Sequence, residues 1–137
     1  MLVALLCLAL PGLAGCGSSR GYANTPRPPA PANLAIAVTN SRVQISPDRI
    51  GAGPVVLLVA NESSRSRDVV VDGLAGGSSC VSAPASTGPI NPQGTARVSI
   101  GIVRGACVVG VRNGGPAPAR LTVGAQRTSA QADLLQP

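Results

Sequence analysis

The chain has 137 residues and is basic, with 11 cationic side chains, all arginine, against five acidic ones, a net charge of +6 and no histidine. It has no Phe, no Trp and a single tyrosine, Tyr22, so it lacks the stacking platforms of single-strand binders and of common sugar sites, and no nucleic-acid partner is expected. Without His or Lys, acid–base chemistry would fall on Asp48, Glu62, Asp68, Asp72 and Asp133, a poor set for an enzyme.

The chain opens on an apolar run, LVALLCLAL over residues 2–10, broken by Pro11-Gly12 before the small-residue cluster Leu13-Ala14-Gly15. This is the hydrophobic region and cleavage zone of a signal peptide, too short to remain as a spanning helix. Leu13-Ala14-Gly15-Cys16 resembles the bacterial lipobox. That resemblance implies cleavage before Cys16 and a thioether-linked diacylglycerol on its sulphur, anchoring the mature chain to the extracytoplasmic side of the cell membrane. Met1-Leu2-Val3 lacks the usual basic opening, which leaves an upstream start codon open.

Residues 16–33 then form a tether rich in Pro, Ser, Gly and Ala, partly extended by its prolines and reaching at most about 50 Å. Its Gly17-Ser18-Ser19-Arg20-Gly21 fits the G-x-S-x-G string, but with no preceding strand and no histidine it carries no catalytic expectation. One domain is expected over 34–128 and a short tail over 129–137.

Within the domain the pattern is β throughout. Strands are expected at Ala35 to Thr39, Arg42 to Ser46, Pro54 to Ala60, Arg67 to Asp72, Ala96 to Ile102, Ala106 to Arg112 and Ala119 to Gly124. The run PVVLLVA reads as a central strand buried on both faces, whereas Ala96, Val98, Ile100 and Ile102 alternate as in a half-buried strand. Turns are expected at Asp72-Gly73, at Asn91-Pro92-Gln93-Gly94 and at Asn113-Gly114, the last as a hairpin. Short strands at this spacing predict an all-β, two-sheet Greek-key sandwich. Asp68 and Asp72, four apart on one strand, would stand about 13 Å apart, wider than the roughly 5–9.5 Å of a glycosidase carboxylate pair.

Four cysteines are present. Cys7 leaves with the signal peptide and Cys16 carries lipid, so Cys80 and Cys107 remain, an isolated exported pair expected to be a disulfide. Metal binding by two thiolates without histidine is a poor alternative. Asn61-Glu62-Ser63 fits a glycosylation sequon but reads as a polar turn. Arg65 and Arg67 beside it could grip a phosphate or carboxylate, or simply be solvated.

The run ISPDRIGAGPVVLLVANESSRSRDVVVDG, from Ile45 to Gly73, resembles the cupredoxin-like domains of bacterial exported proteins, including those on iron-uptake lipoproteins. The likeness rests on Pro47, Ile50, Ala52-Gly53, Val55 to Val59, Asn61 and Val69 to Val71. It continues through Gly94-Thr95-Ala96, Arg104-Gly105-Ala106 and Leu121-Thr122-Val123-Gly124, covering most of 43–124. Immunoglobulin-like sandwiches share such patterns and are the runner-up. Copper-binding relatives place His at the start of the strand after the Asn loop, and Cys, His and often Met around the last hairpin. Here those positions hold Arg67 or Asp68, and a hairpin VVGVRNGGPAPARLTV without any of the three. The expectation is a non-copper cupredoxin-like module without cofactor, acting in binding or structure at the cell envelope. Its partners would be membrane lipid through Cys16 and an anionic envelope polymer or envelope protein, with Arg65 and Arg67 as the candidate loop. The alternative is a redox or metal-handling accessory using Cys80 and Cys107.

Overall fold

A computed structural model describes residues 28–129, so the expected signal peptide, Cys16, most of the tether and nearly all of the tail lie outside the described residues. The described chain is all-β, with eight strands: β1 (Ala32–Val38), β2 (Val43–Ser46), β3 (Arg49–Asn61), β4 (Arg67–Gly73), β5 (Ala85–Ile90), β6 (Thr95–Ile102), β7 (Gly105–Val111) and β8 (Ala119–Gln126). The ladders form two groups that share β3. One runs β2-β1-β3-β6 and the other β3-β8-β7-β4-β5. Two parallel pairs, β1 with β3 and β3 with β8, make the arrangement mixed.

β3 joins the groups because its pairing changes midway. Arg49 to Ala52 pair with β8, whereas Gly53 to Ala60 pair with β6. Gly53 sits at the change with φ 134°, and a Cβ there would stand 2.8 Å from Pro29 Cγ. Only glycine accommodates both that backbone and that approach. Ala52-Gly53 is therefore a bend inside one strand.

The core forms between the two groups. Leu34, Ile36 and Val38 of β1 and Val55, Leu57 and Val59 of β3 meet Val69, Val71, Val109, Leu121 and Val123 in one buried cluster, which also holds Cys80 and Cys107. Alternate residues of each strand face it, as period-2 patterning requires. The arrangement is consistent with a β-sandwich. Cys80 and Cys107 are bridged, with Cα atoms 5.4 Å apart.

Five expectations need correction. β3 is central, but Leu58 on its outer face is 39% exposed, so the strand is not buried on both faces. β5, ASTGPI, is not among the expected strands, and its Gly88 and Pro89 break the alternation that marks the others. It pairs with β4 through a register break at which Val69 N–H donates to Thr87 Oγ1 (3.0 Å), a side chain standing in for a backbone acceptor. Asn113-Gly114 does not join its strands as a two-residue hairpin; Gly114 N–H donates to Val111 O (3.0 Å) at the start of a longer connection to β8. Gly73 ends β4 rather than turning it. The tether also ends sooner than expected, since β1 begins at Ala32 and Pro29 is already buried.

Candidate functional site

Strand direction gives the molecule two poles. In the β1–β3 ladder Ala32 lies beside Val55 at one end and Val38 beside Asn61 at the other, about 20 Å away at ~3.3 Å per residue. The tether joins at the first pole. There Arg127, just past β8, donates from Nη1 to Ala30 O (3.1 Å), from Nη2 to Pro54 O, and from its backbone N–H to Ala52 O. Its Nε is buried without a partner among the described residues. This clasp holds the beginning of β1 against β3.

The candidate loop lies at the opposite pole and is organised by Asn61, which is 1% exposed. Asn61 Nδ2 donates to Arg65 O (2.8 Å) and Ile90 O (2.8 Å), while Oδ1 accepts from Ser63 N–H (3.0 Å) and Ser63 Oγ (2.7 Å). Two donors and two lone pairs are thus all used, the full capacity of the amide. Asn61 belongs to the turn, as expected, and its amide nitrogen is sequestered within it.

Neighbouring loops are knitted to this one. Asn40 Oδ1 accepts from both the backbone N–H and the hydroxyl of Ser64 (3.0 Å each). Ala117 N–H donates to Ser41 O (2.8 Å) and Val43 N–H to Ala117 O (2.7 Å), tying in the β7–β8 connection. On this frame the two candidate arginines differ. Arg67, half-buried at the start of β4, donates from Nε to buried Ser63 Oγ (3.1 Å), and its Nη1 lies 3.2 Å from where a Cβ would stand on Gly115. Arg65 is exposed, and its carbonyl rather than its guanidinium is used by the network. Neither has a carboxylate partner among the described residues.

The one ion pair among the described residues is close by. Arg112 Nε lies 2.6 Å from Asp68 Oδ2, and Ser86 Oγ donates to Asp68 Oδ1 (2.6 Å). The Ser86 hydroxyl first, then the bond and charge of Arg112, hold the Asp68 carboxyl below its ordinary value against an opposing effect of burial. Asp68 is therefore committed to structure rather than free for proton transfer. No group of three or more His, Cys, Asp or Glu side chains gathers among the described residues. Asn40 and Arg127 are not singled out by the sequence, and Ser63 stands there only as part of a polar turn: their roles depend on partners such as Ser64, Ala30 and Arg67, the first two 24 and 97 residues away.

No protein-family model matches the sequence, and no curated protein matches it.

Proposed function

We propose that this protein is a membrane-anchored extracytoplasmic lipoprotein whose Greek-key, cupredoxin-like sandwich is a binding module of the cell envelope, meeting anionic material through Arg65 and Arg67. The observation that carries the reading is the Asn61-centred loop. It sits at the pole away from the tether around an amide whose hydrogen-bonding capacity is fully used, and presents two arginines without a carboxylate partner among the described residues. A tether at one end and a cationic loop at the other suit an anchored domain that reaches into surrounding polymer.

The cupredoxin reading is supported by the order of the quoted residues along the strands: Pro47 between β2 and β3, Ala52-Gly53 at the bend, Val55 to Val59 inside β3, Asn61 at its end and Val69 to Val71 in β4. Copper does not fit the chain. A type 1 centre requires two histidines and a cysteine. There is no histidine, Arg67 is bonded to Ser63, Asp68 is paired with Arg112, and Cys107 is bridged. The same buried bridge, with both cysteines fully shielded, disfavours the redox-accessory alternative, since thiol exchange needs access to a sulphur.

Co-sedimentation of the protein with purified cell-wall polymer tests the proposal. Binding is expected to weaken as salt rises, because exposed charges are screened beyond about 8 Å at physiological ionic strength. Arg65→Ser with Arg67→Ser is expected to remove most of it. Binding indifferent to both salt and the double substitution would discard the loop as the site.

A further inference from the structure

Unpaired sheet edges invite strand pairing, and proteins commonly blunt them with shortness, proline, charge or bulges. Two edges here carry such devices. β2 has four residues and runs into Pro47, and β5 contains Gly88 and Pro89 and breaks register with its neighbour. β6 differs: it has eight residues without proline and pairs with β3 in unbroken register from Thr95 to Ile102. Among the described residues it forms a ladder with β3 alone, and just past its end Val103 N–H donates to Cys80 O (2.9 Å). Two large apolar side chains exposed among the described residues adjoin it, Leu58 opposite Arg97 and Val103 (55% exposed) just past its end.

From this edge we infer that the protein self-associates by antiparallel pairing of β6 with β6 of a second copy, with Ser99 on the two-fold axis. The sequence of β6 is complementary to itself in that register. Val98 stands opposite Ile100 of the second copy, extending a strip that already packs on the core. Ala96 meets Ile102, and the pairing ends there, because Val103 N–H already donates to Cys80 O of its own chain (2.9 Å). The only charge of the strand, Arg97, faces Gly101 rather than its own copy. The two Arg97 residues fall four positions apart along the pair, roughly 14 Å by strand spacing, beyond the ~8 Å screening length. A two-fold axis makes the contact close on itself as a dimer. The four-stranded group becomes a continuous eight-stranded sheet.

Sedimentation equilibrium of the whole chain over micromolar to millimolar concentrations should show a monomer–dimer equilibrium. Ser99→Lys puts like charges directly opposite on the axis at an exposed position, and should weaken association by about tenfold or more. Thr95→Lys, also exposed, should weaken it less, and Ser99→Thr should leave it intact. Circular dichroism checks that each variant retains its fold. Ser99→Cys treated with a short bismaleimide should yield the tryptic peptide from Val98 to Arg104 joined to its own copy. A strictly monomeric chain, a dimer insensitive to Ser99→Lys, or the absence of the self-joined peptide from a dimeric sample would overturn the inference.

Discussion

The two poles of this domain solve the same problem in different ways. At the tether pole, long-range bonds hold the chain: Arg127 reaches Ala30 and Pro54, and the Cys80–Cys107 bridge ties the start of β7 to the connection after β4. At the loop pole a single buried amide, Asn61, gathers backbone and hydroxyl groups within a few residues, and reaches Ile90 besides. The consequence is a difference in what remains available. Arg127 is spent on carbonyls in the clasp, whereas the Arg65 guanidinium is not used by the loop's frame and Arg67 gives only its Nε to Ser63. A rigid support beneath an uncommitted cation is what a binding loop requires, because less ordering entropy is lost when the ligand arrives.

Breaking the covalent tie should have the largest effect. Replacing Cys80 and Cys107 together with alanine opens a loop spanning 27 residues and should destabilise the domain by about 3.5 kcal/mol on the chain-entropy estimate, read as a drop in the urea midpoint. An unchanged midpoint would mean that the bridge contributes nothing to the tether pole. Asn61→Ala removes four hydrogen bonds and strands the buried Ile90 carbonyl; a loss of about 2–3 kcal/mol is expected. Polymer binding by this variant should fall with the ordering of the loop, even with both arginines present. If affinity survives, the amide frame is unnecessary to the site.

Arg127→Met keeps the aliphatic stem but deletes the bonds to Ala30 and Pro54. A loss of about 1 kcal/mol should come with faster proteolysis around residues 28–33, while the loop pole keeps its binding. Slower cleavage, or lost binding, would contradict the separation of the poles. The smallest effect belongs to Asp68. Its carboxyl ionises below its ordinary 3.8 in the fold, so its contribution is complete above that value and disappears as pH falls through the lower folded value. Asp68→Asn should flatten stability against pH in that acidic window. The change should stay within the ~0–1 kcal/mol of a surface ion pair, and an equally steep profile in the variant would remove Asp68 as the cause.

Much of the fold was legible because β-structure writes its burial into alternate residues. Seven of the eight strands could be placed from apolar alternation and from turns such as Asn91-Pro92-Gln93-Gly94, where Gly94 N–H donates to Asn91 O (2.9 Å). β5 escaped because part of its pairing runs through its own side chain, and no local pattern signals that Thr87 Oγ1 will receive Val69 N–H. At the candidate site, Arg65 and Arg67 could be noticed as an arginine pair beside a polar turn. Which of them is held and which is free could not.

By itself, then, the sequence determined the all-β class, the absence of histidine for a copper centre, and Cys80 and Cys107 as the natural pair for a bridge. These follow from periodicity and composition, which are properties of the chain before it folds. Tertiary structure alone decided that β3 passes from one ladder group to the other at Gly53, that Arg127 closes over the start of β1, and that Asn61 carries the loop at the far pole. It also decided that β6, among the described residues, lies at an edge with β3 as its one ladder partner. Each of these depends on which strands become neighbours. Strand pairing is a contact between distant segments, and a residue's own surroundings in sequence hold no record of it.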